Sequence, residues 1–420
     1  MLLTASKPFA LVTKQSLEPR KPKILLRATV EQVDSLLSTL NHDTYAIDFE
    51  TTGLDLYEPT TQVVGTAIAG PEGCYWISHC NGADPRTYLT LLRWMRTKKL
   101  VAFNVAFDGK AVLRDTGEWY QWVMCVYGMF RQLTQDRDPE FFHWNLDTLE
   151  TDVLGWPESH KHRMRELLSE HSLAKSDMYR LAYLEPEEFG HYAALDAEAA
   201  WQGYQYFRSV IVANYKEWGK TLAQYHTQDF LTFCHMLAEQ NIRGMYIDRA
   251  ALSSYKHDSE ERVAVLRKEL FADPSIKSWI TDQCEKAAAG LIGPEPPKFK
   301  KGTTETTKRW ENWKAKLGTT VPPEQAVNWN SKHQLQDLFF RYLKFTPTKF
   351  SEKTQQPAVD KFVLKTLGPI GNKLLEHNRL VKNLGYVNGL WALSAGGIFH
   401  SDTNSHGTLT GRPAAGQGES

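Results

Sequence analysis

The apolar residues of this chain follow two different periods. Over the first hundred positions they come in short runs: "KILLRA" from Lys23, "TYAIDFE" from Thr44, "QVVGTAIAG" from Gln62, "GCYWISH" from Gly73 and "KKLVAFN" from Lys98. Runs of this length, rich in β-branched and aromatic residues and punctuated by Gly and Pro, predict strands. Between the first two a helix is expected to begin at Thr29, where Thr-Val-Glu-Gln has the spacing of a capping box. "KKLVAFN" leads straight into "VAFDGKAVLRDTG", which has helical spacing and ends in Gly117. From about residue 140 to 213 the period is mainly helical, including "EPEEFGHYAALDAEAAWQGYQYF". Strands with interleaved helices predict an α/β domain with a mixed sheet over residues 1–213.

Beyond that point the strand period is lost. "TQDFLTFCHMLAEQNIRGMYID" is helical up to a break at Gly244, and helices resume from Ser331 to about Leu393, so residues 214–394 read as a second, mostly helical domain. The stretch 286–323 is rich in Lys, Thr and Pro, with Lys298, Lys300, Lys301, Lys308 and Arg309 beside Trp310 and Trp313. It reads either as a solvated loop or as a phosphate contact. "GGIFHSDTNSHGTLTGR", within 395–420, predicts the start of a β-containing element that does not continue.

At 420 residues the chain is long enough for two or three cores. Lys plus Arg and Asp plus Glu are both 49, so no bulk charge marks a polyanionic partner, and any nucleic acid must be held by local basic surfaces and metal ions. Five cysteines without a C-x-x-C pair suit a reducing compartment. Cys74 and Cys80 flank His79 but lack a second ligand pair for zinc, and the two cysteines are expected to be buried thiols. "MLLTASKPFALVTKQ" has too short an apolar run for a signal peptide, and no segment approaches the roughly 18 apolar residues of a membrane span. The expected location is the cytosol, with no membrane partner.

Candidate chemistry starts where the second strand ends. Side chains alternate faces along a strand, so Asp48 and Glu50 point to one side and Phe49 to the other. This is either an ordinary solvated strand end or a pair of ligands for one metal site. Asp108 falls at a strand-to-helix junction, and Tyr192 and Asp196 share one helix face at i and i+4. Acids spread over strand, junction and helix have a chemical reason to meet. Two-metal phosphodiester hydrolysis places cations roughly 3.5–4 Å apart, and hard ions of the Mg²⁺ type select carboxylate oxygens. A tyrosine one turn from an acid can hold the attacking water by its hydroxyl.

These residues carry a resemblance. "DFETTGLD", "NVAFD" and "YAALD", in this order, resemble the three motifs of DEDD-type 3′→5′ exonucleases. The resemblance implies an RNase H-like sheet with two divalent ions, Mg²⁺ or Mn²⁺, on Asp48, Glu50, Asp108 and Asp196. It also implies contact between Leu54, Asn104 and Phe107 and the frayed 3′ end of a single strand. Leu54 and Phe107 read equally well as core, and Asn104 as a helix cap. The family divides by whether a Tyr four residues or a His five residues before the last Asp orients the water, and this chain has both Tyr192 and His191. On a regular helix Tyr192 lies about 40° round from Asp196 and His191 about 140°, which favours Tyr192 unless the helix begins late.

The chain beyond these motifs is similar to family-A DNA polymerases, the bacterial DNA polymerase I class and its bacteriophage relatives. "MLAEQNIRGMYID", "VNWNSKHQLQDLFF", "PAVDKFVLKTL" and "LLEHNRLVKNLGYVNGL" resemble that family's thumb helices in order, and "GGIFHSDTNSHGTLTGR" resembles its entry into the palm. The resemblance implies a proofreading role in DNA replication, a primer–template duplex as partner, and duplex contact by Arg412, which otherwise reads as a surface residue in a turn. The palm aspartates and the basic triphosphate-binding helix have no counterpart here, so the chain alone is not expected to polymerise. A fragment, a truncated product and half of a split polymerase, with a second polypeptide supplying palm and fingers, stay open. The competing readings are a free-standing exoribonuclease like the RNase D group and a non-catalytic DNA-binding module.

Overall fold

The computed structural model describes residues 12–134, 137, 142–290, 307–316, 318–351, 355–394, 396–401, 403–404 and 414–415. Two compact units are present, one running to Met245 and taking up the chain again at His400, the other Tyr246–Phe399.

The first unit is built on a six-stranded mixed sheet. Its strands are β1 (Lys23–Leu25), β2 (Thr44–Thr51), β3 (Val63–Gly70), β4 (Gly73–Ser78), β5 (Lys99–Ala102) and β6 (Trp122–Cys125), in the order β1-β4-β3-β2-β5-β6. β3 is antiparallel to both β2 and β4, and the remaining pairs are parallel. β6 carries no clear run in the sequence, because a four-residue strand that starts in Trp-Val-Met supplies too few positions to show a period. Helix α1 (Val30–Thr39) begins as its residues demand: Thr29 accepts from the Gln32 amide, and the Gln32 side chain accepts from the Thr29 amide. Helices α2 (Arg86–Met95) and α3 (Val105–Thr116) complete that side, and α3 stops at Gly117 with φ 73°, a left-handed turn that glycine adopts without cost.

β2 shows how the sheet separates its faces. Tyr45, Ile47 and Phe49 enter the core shared with α1, α2 and α3. Ala46, on the opposite face, enters a core shared with the long helix Pro186–Ala213. Small residues let that helix approach closely: a Cβ on Gly190 would meet Trp76 Cδ1 at 2.5 Å, and one on Gly65 would meet the same indole at 2.1 Å. Asp48 and Glu50 continue the Ala46 row, so the helix that covers this face also covers them.

The expected domain end near 213 falls inside the first unit. The helix Leu231–Arg243 returns to the sheet, and Phe230, Leu231 and Cys234 join the α1–α3 core. His226 accepts from the Cys125 amide at 3.1 Å. In the second unit the helices Arg249–Phe271 and Gly368–Leu393 pack together, and a separate core forms around Trp279, Trp329, Leu338 and Phe339. Short strands Ile398–Phe399, Thr403–Asn404 and Ala414–Ala415 mark the expected β element. Among the described residues no helix is long and apolar enough to cross a membrane. Cys74, Cys125 and Cys234 are buried free thiols, whereas Cys80 is only half-buried because it lies past the end of β4, and the half-buried His79 ring meets the Thr66 and Thr87 hydroxyls.

Candidate active site

Three elements meet at the C-terminal end of β2. Asp48 and Glu50 come from the strand, just before a register shift between Glu50 and Thr51. Asp196 comes from the Pro186–Ala213 helix, and one oxygen from each of the three lies within 4.8 Å of the others. Asp108, in the first turn of α3, accepts the Phe49 N–H at 3.0 Å and so is tied to the residue between the two strand acids. Helix Pro186–Ala213 begins five residues before His191, so regular geometry holds through both candidates. Tyr192 is buried, with its hydroxyl within hydrogen-bonding reach of Asp196, whereas His191 is half-buried on another part of the helix surface.

The electrostatics are those of acids gathered without enough countercharge. Burial, then Asp108, Glu50 and Asp196, push Asp48 well above the usual carboxyl range. Burial and Asp196 push Glu50 up to about 8, and burial pushes Asp108 up to about 7. Asp196 differs: burial opposes its ionisation, but the Lys161 and His160 cations hold it below its ordinary value. An all-carboxylate donor set fits a hard divalent ion, which would replace the protons that Asp48, Glu50 and Asp108 otherwise retain.

His160, Lys161 and Glu150 are the residues that sequence reasoning missed. His160 Nε2 lies 2.7 Å from Asp196 Oδ1 and its Nδ1 lies 3.1 Å from Glu150 Oε1, with Glu150 completely buried. Lys161 Nζ is 3.9 Å from Asp147 Oδ1. "SHKHRMRE" carries the signal only as a cluster of cations at the start of the helix Lys161–Glu170; nothing in its spacing points to an acid thirty-six residues onward.

The proposed strand-contact residues differ in exposure. Leu54 is 71% exposed, so its reading as core does not hold. Asn104 occupies the N-cap of α3, but its side chain makes no capping bond and is exposed; its carbonyl accepts from the Phe107 and Asp108 amides. Phe107 is half-buried, packed against the α1–α3 core, with Lys110 Nζ 5.9 Å from its ring centre. Arg412 lies outside the described residues, as do Lys298, Lys300 and Lys301.

Comparison with known proteins adds two findings. Residues 28–211 match a family model described as 3′–5′ exonuclease. The chain is also similar to the POL domain of Pol1 from M. smegmatis, solved in complex with DNA primer-template and dNTP, with a TM-score of 0.57 and 13% sequence identity. That match covers 95% of this chain and 54% of the other, so the chain spans about half the length of that polymerase, and at this identity the likeness is one of fold. No curated protein matches the sequence.

Proposed function

Starting from residues 28–211 as a 3′–5′ exonuclease domain of the family-A DNA polymerase type, we propose that Asp48, Glu50, Asp108 and Asp196 bind two divalent ions and hydrolyse the 3′-terminal phosphodiester of a DNA single strand. The observation that carries this reading is the convergence of Asp48, Glu50 and Asp196 on one point, with Asp108 tied in through the Phe49 amide. When bound, Mg²⁺ or Mn²⁺ supplies a hydroxide nucleophile and stabilises the leaving oxygen. Tyr192, fixed by its helix beside Asp196, orients the attacking water through its hydroxyl. Leu54, Asn104 and Phe107 face the terminal bases, where apolar and aromatic contact accepts any base.

Family-A editing serves a polymerase, so the helical unit is the natural holder of the primer–template duplex, with Arg412 as a further contact. Palm and fingers act together with this chain, in a longer chain or on a second polypeptide, and the cytoplasm is the expected setting.

A 3′-labelled single-stranded DNA primer incubated with the protein and Mg²⁺ is expected to lose mononucleotides. Asp48→Ala and Glu50→Ala each lower the rate by about 10³-fold or more while the circular dichroism spectrum is retained. An intact primer after prolonged incubation overturns catalysis. Faster degradation of an RNA strand of the same sequence overturns the DNA assignment.

A further inference from the structure

We propose that Glu150 and His160 form a positioning pair that sets the orientation of Asp196 as a ligand of the divalent ion; the inference rests on the two-ion reading of the acid cluster. Asp196 stands on a helix that is held independently of the ion, yet its carboxylate can rotate about its own side chain. His160 contacts that carboxylate directly: Nε2 lies 2.7 Å from Asp196 Oδ1, and the other ring nitrogen lies 3.1 Å from Glu150 Oε1. The His160 side chain is 7% exposed and the Glu150 side chain not at all, so water does not compete for either contact. A buried imidazole engaged at both nitrogens has one ring orientation, and it withholds one oxygen of Asp196 from free rotation.

The pair is itself anchored. Glu150 lies in a π-helical stretch, Leu149–Leu154, that ends at Gly155 with φ 80°, where a Cβ would strike the Gln15 carbonyl oxygen at 1.9 Å. Its carbonyl accepts from the Trp156 amide at 2.9 Å, and the Trp156 indole donates to Gln202 at 2.9 Å. Gln202 donates in turn to Glu198, which Arg20 grips with two hydrogen bonds. Gln202 and Glu198 share the helix of Asp196, so the segment bearing Glu150 and the one bearing the ligand are fastened together. Neither the Glu150 oxygens, the His160 nitrogens nor Asp196 Oδ1 have another hydrogen-bond partner among the described residues, so these charged contacts are what hold them.

Titration of the metal-free protein with Mn²⁺, read by the electron paramagnetic resonance signal of the free ion, tests the pair without reference to turnover. His160→Ala is expected to weaken binding about 10- to 100-fold, and Glu150→Gln by about 10-fold. The double variant is expected to be no weaker than His160→Ala, since the two act through one contact. His160→Gln, which keeps an N–H donor, recovers most of the affinity. Affinities within threefold of the original for folded His160→Ala, tighter binding, or additive losses overturn the proposal. If His160→Ala does not fold, Glu150→Gln and His160→Gln decide. Asp48→Ala serves as the control: if it too leaves Mn²⁺ binding intact, the metal site itself is wrong. If it abolishes binding while the His160 and Glu150 variants do not, only the pair is.

Discussion

Tyr192 and His191 are adjacent in sequence and opposite in circumstance. The helix carrying them begins at Pro186, so the one-turn spacing from Tyr192 to Asp196 is real and the hydroxyl is buried beside the acid. Tyr192→Phe is expected to lower single-strand excision about 100-fold with little change in substrate affinity, the range for loss of one positioned proton-handling group. His191→Ala is expected to stay within about threefold. A rapid-quench assay separates the two, and the reverse ranking would transfer the water-orienting role to His191. The same scale shows what residue types alone conveyed: D-x-E on a strand and Y-x-x-x-D on a helix announce themselves because the period of each element fixes which side chains share a face. His160 does not, because its partner Asp196 is reached through folding and not through a repeat.

At the level of elements, β2 and the Pro186–Ala213 helix carry the site, and both are positioned by packing of ordinary kinds. At Gly190 an added Cβ would meet Trp76 Cδ1 at 2.5 Å and Ile24 Cγ2 at 3.1 Å. Gly190→Val should therefore overpack the interface and destabilise the domain by about 1–3 kcal/mol, read as a lower midpoint in urea. An unchanged midpoint would mean that the indole has room to move. The capping box at Thr29 is independent of the site: Thr29→Ala should cost about 1 kcal/mol and leave excision unaltered. Elements with a full period or a cap were legible in the sequence, as α1, α3 and β2 to β5 were. β6 was not, because its four residues are specified by pairing with β5 and by the helices above it.

For the whole molecule, the acid cluster links pH, metal and stability. Glu50 and Asp108 keep protons in the fold up to about 8 and about 7, while an unfolded chain releases them near ordinary carboxyl values. Stability of the metal-free protein therefore falls as pH rises through that window and levels off above it. His160 acts in the same direction: its raised value, about 9, supplies stability that is complete below its ordinary 6.5 and lost as pH climbs through 9. Asp196, held below 3.8, acts in the opposite sense but only in acid. Metal-free protein is thus expected to melt lower at about pH 8.5 than at about pH 5.5. A divalent ion at 100 times its Kd adds about 2.7 kcal/mol, and a fixed ion concentration restores most at the higher pH, where the carboxylates are already free of protons and Kd is lowest. A melting temperature that rises with pH in the presence of chelator would contradict the cluster's electrostatics.

By itself the sequence determined the class of the first domain, the faces of its strands and which candidate acids share a face, because alternation, helical spacing and capping are local properties of the chain. Tertiary structure decided the rest. It brought Glu150 and His160 to Asp196, turned Leu54 out to solvent, carried the helix Leu231–Arg243 back onto the sheet and returned His400 to stack on Tyr57 at 4.0 Å. Each of these depends on which distant surfaces bury one another, and no period along the chain encodes that choice.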